Sequence, residues 1–280
     1  RAIDGALPLE DRWIRHRLHE AAARMEQAQL NYRYHEAADI VWTFLWDDFC
    51  DWYVEIKKLR IQQGAEPRAH VETMAETFEM ALRLLHPLMP FITEELWQRL
   101  VDKGAQTPPS VCIAPYPQPG DAADEDALRL FGLLQKIVTA ARALRADNRV
   151  DPAARVEGWI ESLCADVQQV AASELEVIGA LAHGRFELNP PRRPTGIRRA
   201  AADFAVGLKL SAAQADAIRA RVEKRLAELE KVIASSRKQL LSDSFVAKAP
   251  AQVVEGIREK LAMYEKELAE QRALLEELAQ

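Results

Sequence analysis

Cysteine is scarce in this chain and cannot be paired off: Cys50, Cys112 and Cys164 are odd in number and far apart. They offer neither a disulfide framework nor a thiolate metal site, and such usage suits a reducing compartment, so a cytoplasmic location is expected. No apolar run approaches the ~18 residues that span a bilayer, and no signal peptide opens the chain, so no membrane partner is expected. It starts Arg-Ala-Ile-Asp without a methionine, as expected of a piece of something longer. No glycine-rich turn joins a strand to a helix, so the nucleotide-cradling signature is missing. No paired nucleophile and base stands at useful spacing, and no catalytic residue is assigned. His16 and His19 lie one turn apart without a third ligand, so no metal is assigned either. An excess of basic residues is also lacking. The net charge of −6 argues against a chain that coats nucleic acid wholesale, though it leaves room for a local basic patch.

What is present is a helical chain. At 280 residues and 49% hydrophobic content it has room for two or three domains and at least one large core. The stretch Trp42 to Glu55 organises the rest. Val41, Trp42, Leu45, Phe49, Trp52, Tyr53, Ile56 and Leu59 recur at helical spacing, while Phe44, Trp46 and Val54 narrow the wet side to a strip. An α-helix apolar nearly all round is expected inside a bundle. Its acids Asp47, Asp51 and Glu55 follow at four-residue steps and share one face, either solvated or held by neighbouring arginines.

Around that stretch, residues 1–148 read as a helical bundle. Leu7-Pro-Leu-Glu-Asp11 opens a helix with acids in its first turn, where the positive end of the helix favours them. Ile14, Leu18, Ala21, Met25 and Ala28 form its apolar face, with Arg12, Arg15, His16, Arg17 and His19 opposite. Asn31-Tyr-Arg-Tyr-His35 breaks the helix. Aromatic and basic residues mixed at a turn can stack on and pair with nucleic acid, or can simply pack at a helix entry. A helix with Val71, Met74, Phe78, Leu82 and Leu85 follows, then a hinge between Pro87 and Pro90 and a further helix containing Leu96, Trp97 and Leu100. A connector occupies roughly 103–123. Asp124-Glu-Asp126 caps a long helix that carries Arg142, Arg145 and Arg149 on one outward line, either solvated or able to touch phosphates.

The wording His86-Pro-Leu-Met-Pro-Phe-Ile-Thr-Glu-Glu-Leu-Trp97, with Trp46-Asp-Asp-Phe-Cys-Asp-Trp-Tyr-Val-Glu55 before it, resembles the anticodon-binding helical domain of class I aminoacyl-tRNA synthetases. The branch is the one that handles valine, isoleucine, leucine and methionine. The resemblance covers roughly residues 8–148 and implies a grip on the anticodon stem-loop. Its candidate tRNA contacts in this sequence are Arg12, Arg15, Tyr32, Arg33, Arg142 and Arg145.

Residues 149–210 read as a small mixed α/β module. Strands are expected at 155–160, 185–188 and 203–210, with one or two short helices over 164–183. Asn189 to Arg199 reads as a basic, proline-rich loop, usually solvated but able to meet a phosphate backbone. Residues 211–280 read as an antiparallel two-helix coiled coil. Leu226, Leu229, Ile233, Ser236 and Leu240 form one seam; Val254, Ile257, Leu261, Tyr264, Leu268, Leu275 and Leu278 form the other. Each helix is ~30 residues, about 45 Å long. Arg237, Lys238, Phe245 and Lys248 gather near the turn, where Phe245 either plugs the hairpin end or joins a basic, apolar tip.

The wording Asp243-Ser-Phe-Val-Ala-Lys-Ala-Pro-Ala-Gln-Val-Val-Glu-Gly-Ile-Arg-Glu-Lys260-Leu261 is very similar to the carboxyl-terminal arm of the valyl-tRNA synthetase family. That resemblance implies contact with the outer corner of tRNA, with Arg237, Lys238, Phe245, Lys248 and Arg258 as candidates at the arm tip. It also implies valine tRNA as partner, with ATP used by a catalytic domain and errors removed by an editing domain elsewhere in the polypeptide. The sequence contains the motifs of neither, so no cofactor is assigned to it. A monomer is expected. The rival readings are the same role in an isoleucyl- or leucyl-tRNA synthetase, and a helical scaffold whose arm pairs with another protein.

Overall fold

A computed structural model describes residues 7–100, 108–120, 124–192, 194–210, 212–241 and 251–279. The chain divides into two compact units, Arg1–Gln135 and Lys136–Gln280. No helix among the described residues is long and apolar enough to cross a membrane.

The first unit is helical. It contains α1 (Leu9–Leu30), α2 (Tyr34–Thr43), a π-helical segment (Phe44–Val54), α3 (Glu55–Gln62), α4 (Pro67–Leu85), α5 (Pro90–Leu100), a 3₁₀ turn (Val111–Ile113) and the start of α6 (Glu125–Asp147). Periodicity explains α1: Trp13, Ile14, Leu18, Met25 and Ala28 are all buried on one face. The Trp13 indole stacks on Phe131 of α6 with ring centroids 3.8 Å apart. Tyr32 takes a positive φ of 56°, and this left-handed residue turns the chain from α1 into α2. Pro90, expected to close a hinge, begins α5, where its missing N–H costs nothing.

The central stretch departs from the expected α-helix. Over Phe44–Val54 the backbone widens to π-helical pairing, so the 3.6-residue repeat no longer assigns its faces. Phe49 and Tyr53 are buried, as expected. Trp42 and Trp46, expected inside the bundle, are instead 64% and 55% exposed. Asp47 and Asp51 are solvated, Glu55 pairs with Lys58 at 2.6 Å, and the neighbouring Asp48 is the acid that goes inward. It accepts from Arg17 of α1 at 2.8 Å, and burial pushes its carboxyl up despite that arginine.

The first-turn acids of α1 are interior groups. Asp11 accepts from Lys57 at 2.7 Å and from the Tyr53 hydroxyl at 2.6 Å, all three buried. Lys57 also reaches His70 at 3.0 Å, and Glu10 accepts from Arg60 at 3.1 Å. Burial, then the bond to Asp11, raises the Tyr53 phenol far above its ordinary value, so it stays a donor.

The second unit begins inside α6, earlier than the helix end at which a boundary was expected, and it joins the module to the arm. Its strands are β1 (Val156–Glu161), β2 (Gly184–Leu188), β3 (Gly196–Ala200) and β4 (Ala205–Lys209), with α7 (Ala165–Ser173) and α8 (Leu175–Leu181) between β1 and β2. The sheet order is β2-β1-β4-β3, parallel for β1 with β2 and antiparallel elsewhere. Trp159 fills its core, and a Cβ at Gly207 would overlap that indole, which fixes glycine there. The end of the expected 189–199 loop is edge strand β3, its backbone paired to β4 from Gly196 onward.

Helices α9 (Ala212–Leu240) and α10 (Ala251–Ala279) pack along each other. The cross-links Glu230–Arg272 and Arg237–Glu265 run in opposite senses along the two helices, so they are antiparallel. Ile218, Val222, Leu229, Ile233 and Val254 are buried in the seam. Leu226, Ile257, Leu261, Tyr264, Leu268 and Leu275 are half-buried, as a two-helix seam allows.

Candidate nucleic-acid interface

Exposure and charge pairing sort the candidate residues of the first unit. Arg15 is exposed. Tyr32 and Tyr34 are exposed at the α1–α2 turn, with Arg33 between them pairing to Glu36 at 3.1 Å. Arg12 stands apart. Its guanidinium donates to both Asp124 oxygens at 2.7 and 2.6 Å, which holds the Asp124 carboxyl below its ordinary value and straps α1 to the start of α6. The face read as one basic stripe is therefore mostly paired: Arg17 is held by Asp48 and Glu20, and His16 accepts from the Asp124 N–H at 3.3 Å.

The outward line of three arginines on α6 is corrected. Arg145 is buried and donates to the carbonyls of His183, Asp151, Pro152 and Ala154 at 2.8–3.3 Å. A guanidinium presents a rigid fork of donors, and here backbone oxygens take both terminal nitrogens, so the buried Arg145 acts as a structural clamp. Arg142 remains exposed while donating to Leu181 O at 2.9 Å. Arg149 is exposed.

Sequence reasoning missed an aromatic feature. The exposed rings of Trp42 and Trp46 stack with centroids 5.4 Å apart and planes 9° from parallel. A bare, ordered π-face can take an unpaired base by stacking. Trp42 and Trp46 lie four residues apart, which was a signal for adjacency; Trp42 lies in the last turn of α2 and Trp46 in the π-helical segment that follows it.

On the arm, Lys238 is exposed. Arg237 bonds Glu265 at 2.7 Å, and Arg258 lies 3.4 Å from Glu255, both on the surface. Exposed pairs of this kind are weak and can be exchanged for a phosphate. Phe245 and Lys248 lie outside the described residues.

Two family models match the chain in order. Residues 11–160 match the anticodon-binding domain of tRNA ligase, and residues 215–279 match the valyl tRNA synthetase tRNA binding arm. The chain belongs to the family of tRNA ligase anticodon-binding domains. Valine–tRNA ligases of Solibacter usitatus, Dechloromonas aromatica and Symbiobacterium thermophilum are 40%, 34% and 32% identical to it, over 93%, 100% and 95% of its length. The chain spans about 30% of the length of these curated relatives.

Within this chain the motif from His86 to Trp97 has two interior anchors, while Met89, Phe91 and Ile92 are exposed. Thr93 is fully buried, donates to Met89 O at 2.8 Å and meets the His86 ring at 2.6 Å; Trp97 is buried. The anticodon-domain match includes the exposed Tyr32, Tyr34, Trp42 and Trp46, and the arm match includes Arg237, Lys238 and Arg258.

Proposed function

We propose that this chain is the tRNA-gripping part of a valine–tRNA ligase. In this reading the bundle holds the anticodon stem-loop of tRNA(Val) through Arg15, Tyr32, Arg33 and Arg142. The tip of the arm, with Arg237, Lys238, Phe245, Lys248 and Arg258, holds the corner of the L-shaped molecule. The chain orients the tRNA, and ATP-dependent aminoacylation belongs to catalytic and editing domains elsewhere in the polypeptide. The protein acts as a cytoplasmic monomer. The observation that carries this reading is the co-occurrence of two tRNA-binding models in one chain, the second specific to valyl enzymes. That second match argues against an isoleucine or leucine enzyme.

Footprinting of tRNA(Val) with the chain intact and cut after residue 210 tests it. The intact chain is expected to protect both the anticodon stem and the elbow, and the shortened one only the stem. Elbow protection that survives the cut would overturn the arm assignment, and an unprotected tRNA would overturn the whole reading. Charge reversal at Arg237, Lys238 and Lys248 together is expected to reproduce the cut.

A further inference from the structure

An open cleft of about 970 Å³ lies within the second unit, at the root of the arm, lined by the last turn of α6, strand β3 and both arm helices. Six cationic side chains line it against three acids. Three of the cations are held in place: Arg199 by Asp147 at 3.1 Å, Arg198 by Glu161 at 3.4 Å and Arg225 by Glu267 at 2.8 Å. Arg149, Arg221 and Lys224 make no ion pair among the described residues. They come from two elements and share one opening, an arrangement with positive charge to spare.

Arg149 carries a second signal. Its φ is 53°, and it ends α6 with its own N–H on Ala146 O and the Val150 N–H on Arg145 O, both at 3.0 Å. Glycine is the usual residue at this position because a Cβ is disfavoured in the left-handed region. The chain instead places its longest cationic side chain there, at the lip of the cleft. The lining residues include no aromatic ring, so the cleft has no platform for a base. It is also open, whereas sites for small molecules enclose most of the ligand surface.

We propose that this cleft is a phosphodiester-backbone site, in which Arg149, Arg221 and Lys224 each neutralise a phosphate of the bound RNA. The proposal rests on the tRNA-binding reading and adds a contact at the root of the arm to those at the bundle and the tip. Contacts of this type read no sequence; they set register and steepen the salt dependence.

The test is a fluorescence-anisotropy titration of the full chain with tRNA(Val) over a salt series, comparing the wild type with Arg149→Gly/Arg221→Gln/Lys224→Gln. Three lost phosphate contacts are expected to flatten the slope of log affinity against log salt by about 2 to 3. At low salt the affinity is expected to fall at least tenfold. Arg149→Gly alone serves as the folding control: it relaxes the left-handed residue, so its melting temperature should hold or rise while its slope flattens by about 0.7 to 0.9. If the wild type binds steeply and the triple variant keeps both slope and affinity, the cleft site is wrong and the tRNA reading stands. If the wild type does not bind, both are wrong. If sodium tripolyphosphate stabilises the wild type at micromolar concentration while the variant binds tRNA normally, the occupant is a small oligophosphate, and the backbone proposal is overturned.

Discussion

The bundle and the arm handle charge in opposite ways. In the bundle, Asp11 and Lys57 are buried as a bonded pair with Tyr53 against them, and Asp48 is drawn inward to Arg17. In the arm no charged side chain among the described residues is buried, and the cross-helix pairs Arg225–Glu267, Arg272–Glu230 and Arg237–Glu265 sit at the surface. A buried pair fixes which helices meet and in what register, because any other packing strands a charge. Surface pairs fix little, and their cations stay available to a polyanion. The contrast makes the bundle a platform and the arm an electrostatic handle.

The contrast breaks most sharply if the interior pair turns out to be dispensable. Lys57→Met leaves the Asp11 carboxylate buried with only a phenol donor, and such uncompensated charges cost about 3–5 kcal/mol. A urea titration followed through the bundle tryptophans is expected to show a loss of that size. The double change Lys57→Met/Asp11→Leu is expected to recover much of it, since an apolar pair removes both desolvation penalties. A loss below about 1 kcal/mol for the single change would mean that the pair does not organise the bundle.

The size of that loss also explains what could be read from the sequence. Helix positions, the α1 face and the arm seams follow from apolar spacing alone, and Ile14, Leu18, Leu229 and Ile233 are buried where periodicity puts them. Polar groups were harder. Glu10 and Asp11 carry every mark of a solvated first turn, and only the arrival of Arg60 and Lys57 from α3 takes them inside. Arg145 shares its spacing with Arg142 and Arg149, yet the carbonyls that turn it inward lie 6 to 38 residues away in sequence. Trp46 failed for a different reason: it lies in the π-helical segment, where the 3.6-residue wheel no longer applies, whereas its stacking partner Trp42 lies in α2 just before that segment. Strand β3 was hidden by Pro190, Pro191 and Pro194 just before it, although the pairing itself begins at Gly196.

A smaller effect separates the two regions by locality. Leu229 is almost wholly buried in the arm seam, and Leu229→Ala is expected to cost about 2 kcal/mol, at the low end for such truncations because a two-helix seam can partly close over the gap. Amide exchange should accelerate within α9 and α10 while the amides of α1 and α4 keep their protection. Accelerated exchange across the bundle as well would show that the arm and platform unfold as one unit.

Smaller still is the surface pairing of the arm. Arg237→Gln removes a 2.7 Å pair with Glu265 at the surface, and exposed pairs contribute about 0.2–1 kcal/mol. The thermal transition of the arm is expected to shift little, and the shift should vanish in 1 M salt. The same change is expected to weaken tRNA binding measurably if Arg237 trades Glu265 for a phosphate. A stability loss as large as that of Lys57→Met would erase the distinction between interior and surface charge.

The smallest expected effect lies at the edge of the interior network. Burial, and then the positive charge of Lys57, hold the His70 imidazole below its ordinary value near 6.5, while Asp11 and Glu10 pull the other way and Arg60 adds to the lowering. With Lys57 charged, the His70 Nδ1 at 3.0 Å is an acceptor, so the folded bundle prefers the neutral ring. The unfolded chain therefore binds a proton at His70 more readily than the folded one. The stability carried by the neutral ring is fully present above pH 6.5 and is lost as the pH falls from there through the lower folded value. Asp48 shifts in the opposite sense, so the total pH profile cannot isolate His70. The difference between wild type and His70→Asn can, because an asparagine oxygen can still accept from Lys57 but does not titrate. That difference is expected to be constant above pH 7 and to narrow on acidification, by less than any change above. A difference independent of pH between 5 and 7 would show that His70 titrates alike in both states and that the network ends at Lys57.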